Sequence, residues 1–150
     1  MLIYTHRMII NAPLDKVAGF HKDTRVLKYL SPPPVITQFH NLEPLGENSI
    51  ADFTMWLGPL PVRWIAVHTQ VDVLYGFTDT QITGPFKSWV HRHSFHPIDE
   101  SHTEVLDEIQ AEPSSHWLWG SVSRFMWLNL PILFAHRERV TKAMLEEKAG

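Results

Sequence analysis

Apolar and polar positions follow a two-residue period through most of the chain and change to a helical period only near its ends. Leu2 to Ile10, LIYTHRMII, reads as a strand, with Ile3, Met8 and Ile10 among its apolar positions. Asn11-Ala12-Pro13 breaks it, and Pro13 suits the first turn of a helix, where its missing N–H has no partner to lose. LDKVAGFH follows, with Leu14, Val17 and Ala18 on one helical face. Asp23 or Thr24 can cap a second short helix, RVLKYL, with Val26, Leu27 and Leu30 facing in, and the prolines of SPPP stop it. From Val35 the pattern is that of strands: VITQFHNL, NSIADFTMWL, VRWIAVHTQVDV, GFTDTQIT, SWVHRHSFHPI and TEVLDEIQAE, divided by turn-like breaks. The end reads as one long helix from His116 to about Lys148, kinked at Pro131. In its second half Val140, Ala143 and Met144 face inward, and Arg137, Glu138, Lys142 and Glu146 to Lys148 are solvated.

This order predicts an α+β fold and one domain spanning residues 1–150. Consecutive strands with short connections form an antiparallel meander. With the first strand the sheet has seven strands, and two short helices follow strand 1. Such a sheet needs one face covered, and only the long C-terminal helix can cover it. A curved sheet around a helix encloses a cavity, a natural place for a ligand.

Composition narrows the function classes. The 150 residues carry a formal net charge of −3 with acids and bases interspersed, which excludes the basic stripe nucleic acid requires. Cysteine is absent, so there is no disulfide framework, thiol nucleophile or thiolate metal site, and a cytoplasmic location fits. The N-terminus lacks a signal-peptide run. Trp117 to Ala135, WLWGSVSRFMWLNLPILFA, approaches membrane-spanning length, but Arg124, Asn129 and Pro131 favour a buried or interfacial helix over a span.

The element order, INAPLDKVAGFH after the first strand, GFTDTQITGPFKSWVHRHSF in the middle and SRFMWLNLPILFAHR on the last helix resemble the START-like, or Bet v 1-like (SRPBCC), superfamily with its helix-grip fold. The chain looks most like small bacterial ligand-binding proteins related to polyketide cyclase/dehydrase. The resemblance covers nearly the whole chain. It implies a small-molecule cavity between sheet and C-terminal helix, and carries over no shared catalytic set, because members bind lipids, hormones and polyketides, catalyse ring closure or dehydration, or act as protein partners.

The candidate chemistry gathers in GPFKSWVHRHSFHPIDE. Alternate strand side chains share a face, so Trp89, His91, His93 and Phe95 line one face. The two large aromatics mark it as the inner one. A hairpin closing over residues 97–102, with Phe95 opposite Thr103, sets His93 opposite Val105 and His91 opposite Asp107; a slip of two keeps Asp107 on the same face. An inward aspartate needs a partner, and His91 or His93 supplies one. Phe77, Asp79 and Gln81 share a face, as do Trp64, Ala66 and His68. If both point inward, they add His68, Asp79 and Gln81 to the polar cluster; Ile65 and Val67 leave that orientation open.

Three readings follow, in this order. The histidines line a pocket that binds a small apolar or aromatic molecule beside Trp64, Trp89, Phe95 and Trp127, with His68, Gln81 and Arg124 as polar contacts. Alternatively, His91 and His93, oriented by Asp107, move a proton in a cyclase- or dehydratase-type reaction; no serine or cysteine nucleophile pairs with them. Third, His-x-His places two rings on backbone positions roughly 6.5–7 Å apart, a usable spacing for a metal with a third ligand such as Asp107. No cofactor and no metal is assigned. A protein-interaction module with a vestigial cavity filled by Trp64, Trp89 and Trp127 is the remaining alternative. MWLGPLP is an apolar turn suited to a lid or to packing on the first helices, and Ile65, Val67 and the apolar half of the last helix offer a homodimer surface.

Overall fold

The computed structural model describes residues 1–146. Seven strands form one antiparallel sheet: β1 (Leu2–Ile10), β2 (Ile36–Leu42), β3 (Ile50–Leu57), β4 (Leu60–Asp72), β5 (Gly76–Thr83), β6 (Phe86–Asp99) and β7 (His102–Pro113). Their order is β1-β7-β6-β5-β4-β3-β2, so the six later strands meander and β1 closes on β7. Between β1 and β2 lie α1 (Leu14–Lys22), a 3₁₀ turn (Thr24–Val26) and α2 (Leu27–Leu30). Asp23 caps the 3₁₀ turn by accepting from the Arg25 amide at 3.0 Å. The predicted α+β helix-grip architecture is the one observed.

The C-terminal segment differs from the single kinked helix expected. It is two helices, α3 (Trp117–Leu128) and α4 (Leu130–Leu145), joined at Asn129. The Asn129 side-chain amide donates to the Phe125 carbonyl at 2.8 Å and closes α3. Pro131 stands in the first turn of α4, where it costs no hydrogen bond, so the proline starts a helix rather than bending one. The faces of α4 also depart from expectation. Ala143 and Met144 are exposed, while Phe134 and Thr141 are buried and Arg137 turns inward. Glu147 and Lys148, expected on the solvated face, lie outside the described residues.

Two apolar clusters hold the layers together. One joins Phe53, Trp64, Phe86, Trp89 and Ile109 of the sheet to Leu130 and Phe134 of α4. The other joins Met8, Ile10, Phe77, Phe95 and Val105 to Val17 and Ala18 of α1. Thr103, fully buried, donates its hydroxyl to the Ala12 carbonyl at 2.9 Å and ties β7 to the start of α1.

The β6–β7 register slips by two from the one counted on the sequence. Phe95 faces Val105, and His93, not His91, faces Asp107. Both strands run further than expected, and Asp99 pins the short turn by accepting from the Ser101 amide at 2.8 Å. Gly76 opens β5 with φ +137°, and a Cβ there would sit 2.0 Å from the His93 carbonyl oxygen. Only glycine lets β5 approach β6 closely enough to hold His93 in place. Gly76→Ala is therefore expected to destabilise the fold by about 2 kcal/mol or more. A urea-denaturation midpoint equal to that of the parent chain would refute this account of the contact.

Candidate functional site

The sheet register assembles a cluster of titratable groups on the concave face. Asp79 pairs with His91 across β5–β6, His93 with Asp107 across β6–β7, and His6 stands opposite Asp107 on β1. His91 Nε2 lies 2.8 Å from Asp107 Oδ1, and His93 Nε2 lies 2.6 Å from Asp79 Oδ2. The two imidazoles stack with centroids 3.7 Å apart, and Phe77 stacks on His93 at 4.3 Å. His93 Nδ1 is also 3.2 Å from Asp107 Oδ1. It lies off the line of a hydrogen bond, so this second contact acts through charge.

The two histidines take different charge states for physical reasons. Burial opposes charge on His93, but the close approach of Asp107, the hydrogen bond to Asp79 and the charges of both carboxylates overcome that and raise it to about 9. For His91, burial and the neighbouring His93 cation prevail over Asp107, and its pKa falls below the ordinary value. Burial pushes Asp79 up, yet the hydrogen bond from His93 and the charges of His91 and His93 bring it down to about 2. Asp107 is held well below the carboxylate range, against its burial, by His91 and His93. Near neutral pH the four groups are thus two carboxylates, one imidazolium and one neutral imidazole, with one net negative charge.

Arg137 of α4 balances that charge. Burial lowers its pKa, and the charges of Asp107 and Asp79 oppose the drop; a guanidinium stays protonated across the pH range in which proteins fold. It packs on the Phe134 ring at 5.2 Å. Among the described residues none accepts a hydrogen bond from it, and its Nε is buried without a partner. His21 of α1 faces the same space. It is pushed down to about 4 by burial, against the Val17 carbonyl, which accepts from its Nδ1 at 2.8 Å. The proton on Nδ1 leaves Nε2 as a lone-pair acceptor.

All of these titratable groups but His6 and Asp107 line a pocket of about 390 Å³. Its walls are largely apolar: Phe53, Trp64 and Trp89 from the sheet, Leu27 and Leu30 from α2, and Leu130, Leu133 and Phe134 from α4. His21, His68, Asp79, His91, His93 and Arg137 also line it. Exposed Pro33, Phe125 and Ile132 mark its mouth.

No protein-family model matches the chain, and no curated protein matches it. Solved structures do. TTHA0849 from Thermus thermophilus superposes with a TM-score of 0.69 at 21% identity, over 95% of this chain and 99% of that one. The Zhui aromatase/cyclase from Streptomyces gives 0.73 at 11% identity, over 95% and 92% of the two chains. Norcoclaurine synthase from Thalictrum flavum, in complex with dopamine and hydroxybenzaldehyde, gives 0.66 at 16% identity, over 99% and 89%. The chain has the Bet v 1-like fold. At these identities the likeness carries the fold alone.

The fold brings some sequence-derived site residues together and separates others. His91, His93 and Asp107 form one cluster with Asp79. His68, Trp64 and Trp89 line the pocket; His68 is held by a contact of Nδ1 with Ser49 Oγ at 3.0 Å and is lowered chiefly by burial. The other four expected ligand contacts do not line it. Gln81 spends its amide across the β5–β6 turn, donating to the Phe86 carbonyl at 2.8 Å and accepting from the Phe86 amide at 3.2 Å. Phe95 packs on His21 and Phe77 in the second core cluster. Trp127 meets Trp89 and Tyr4 edge-on. Arg124 is exposed on α3. The basic group inside the pocket is Arg137, which an inward reading of α4 at Phe134 plus three would have found. His21 was hidden because a histidine at the polar end of a short helix gives no sign of facing a pocket. Metal geometry also shifts: Asp79, His91 and His93 offer ligand atoms within 4.8 Å of one another, with Asp79 in place of the Asp107 first considered. An ion there would have to displace the proton His93 shares with Asp79.

The charge states predict a two-sided pH profile of stability. His93 is raised from 6.5 to about 9, so its contribution is complete below pH 6.5 and is lost as pH climbs through 9. His21 is lowered from 6.5 to about 4, so the unfolded chain binds the proton first and stability is lost as pH falls from 6.5 toward 4. Asp79, lowered from 3.8 to about 2, adds a further loss below 3.8. Unfolding free energy is expected to peak near pH 6.5, the unfolded value of both histidines, and to fall by a few kcal/mol toward pH 9. A profile rising steadily from pH 6.5 to 9 in urea titrations would show that His93 is not the buried cation.

Proposed function

We propose that this protein binds a small, largely apolar molecule, with an aromatic portion against Trp64 and Trp89 and an oxygen acceptor on Arg137. The observation that carries this reading is a largely apolar pocket lined by the guanidinium of Arg137, whose buried Nε has no acceptor among the described residues. An unsatisfied buried donor costs free energy that a ligand oxygen would recover. The pocket volume falls in the range of small-molecule sites, and it lies open beside Trp64 and Trp89 rather than being filled by them, which favours binding over a purely protein-interaction role. A fold neighbour in complex with dopamine and hydroxybenzaldehyde supports an aromatic occupant. The charge balance, two carboxylates against His93 and Arg137, favours a neutral oxygen, such as a ketone or phenol, over a carboxylate.

The test compares naphthalene, acetonaphthone and naphthoate by quenching of tryptophan fluorescence. Acetonaphthone should bind tightest. Arg137→Met should weaken it by roughly ten- to a hundredfold, the worth of one hydrogen bond to a charged group, while leaving naphthalene unchanged. Binding of none of the three would overturn the pocket reading. Equal affinity for naphthalene and acetonaphthone would overturn only the role of Arg137.

A second reading, acid–base catalysis, is favoured by the geometry of His91. Its Nε2–H donates to Asp107, which leaves Nδ1 as a free base; Asp79 Oδ2 stands 4.0 Å from that atom, near enough to stabilise the imidazolium that would form. With a ketone on Arg137, the α C–H bond breaks, its electron pair passes to the carbonyl oxygen, and the proton goes to His91 Nδ1. His91 would be the catalytic residue and Asp107 its positioning residue. Deuterium uptake at the methyl carbon of acetonaphthone, followed by NMR, should be catalysed by the parent chain and fall by on the order of a hundredfold or more in His91→Gln. If acetonaphthone binds and no exchange above the buffer rate occurs, the protein is a binder and not this kind of catalyst.

A further inference from the structure

The exposed face of α3, beside the pocket mouth, is apolar where a monomer's surface would ordinarily be polar. Trp117 is 79% exposed, Phe125 59%, Leu128 77% and Ile132, at the start of α4, 63%. Along α3 the exposed positions are Trp117, Ser121, Arg124, Phe125 and Leu128, one stripe at helical spacing. Phe125 and Ile132 also line the pocket, so the stripe and the mouth are continuous. Contiguous exposed apolar surface of this kind marks an interface.

Charge decides what the interface meets. Between Glu112 and Glu138 the sequence has no acidic residue, while it holds Arg124 and Arg137, in a chain whose net charge is −3. The exposed stripe therefore presents one cation and no anion. A two-fold contact between copies of this stripe would bring Arg124 against an equally acid-free surface with nothing to pair it. An anionic lipid surface supplies both an apolar medium and the missing negative charge. No described helix is long and apolar enough to cross a membrane, so the helix would lie in the interface rather than span it.

We propose that α3 docks this protein on an anionic bilayer, with Trp117, Phe125, Leu128 and Ile132 in the headgroup–acyl boundary and Arg124 on lipid phosphates. The orientation turns the pocket mouth toward the membrane, so an apolar ligand could pass between lipid and pocket without crossing water. Docking itself does not depend on the pocket reading above.

The test is flotation of the purified chain with vesicles of phosphatidylcholine alone and of phosphatidylcholine mixed with phosphatidylglycerol. Binding to the mixed vesicles is expected, weakening as salt is raised. The double variant Trp117→Ser, Leu128→Ser, two exposed residues that do not line the pocket, should weaken it by about tenfold or more. Its thermal midpoint reports that the fold is intact. Arg124→Gln should reduce the preference for anionic vesicles and leave binding to phosphatidylcholine unchanged. Equal or no binding to the two vesicle types overturns the proposal. So does a parent chain that sediments as a dimer in lipid-free buffer and becomes a monomer in the double variant, since the stripe would then be covered by a second copy.

Discussion

Two aspartates carried into the interior set the terms for everything around them. An ionised carboxylate away from water costs several kcal/mol unless a partner meets it at close range. Asp79 and Asp107 share one such partner, His93, whose ring reaches both. That arrangement needs β5, β6 and β7 in one fixed register, because a shift by one residue would turn His93 to the outer face. The long β6–β7 pairing, the Asp99 turn and the close approach at Gly76 all serve to hold it. The sheet is thus the scaffold of an ionic cluster as well as the wall of a pocket.

The cluster in turn explains the asymmetry between two neighbouring histidines. One proton suffices to link the carboxylates, and a second on the stacked ring would place two cations with centroids 3.7 Å apart. His91 therefore stays neutral, oriented by Asp107, and keeps a free nitrogen. Arg137 completes the charge balance from the helix layer without contacting the carboxylates, which leaves its donors turned to the pocket. The cluster and Arg137 meet largely apolar walls, the arrangement that the proposed binding of a small molecule calls for.

Much of the architecture could be read from the residue pattern. The two-residue period puts Trp89, His91, His93 and Phe95 on one face and groups Trp64, Ala66 and His68 on another, but with Ile65 and Val67 apolar on the opposite side only the structure showed that the Trp64 face points inward. The turn residues between strands gave the meander, and the proline at residue 13 the helix that follows β1. The pairing of His93 with Asp107 was not readable, because a two-residue slip preserves every side-chain face and so leaves no trace in the pattern. Gln81 and Asp79 alternate on the same side of β5, yet one closes a turn and the other joins the cluster. Only the end of the β5–β6 pairing distinguishes them.

What the sequence determined by itself was the periodic part: seven strands, the residues that share each strand face, the short helices after β1, and the placement of His91, His93 and Asp107 on an inner face. Those follow from local geometry and from the cost of burying charge without a partner. What tertiary structure alone decided was the meeting of elements far apart in the chain. Arg137 looks like one more solvated residue on a mixed helix face, and it becomes a pocket cation because α4 packs with Phe134 downward over His91. His21 faces the cluster only because Val17, Ala18 and Phe95 fix α1 against the sheet. The rotation of a helix about its own axis is set by packing against a distant layer, and no nearby residue records it.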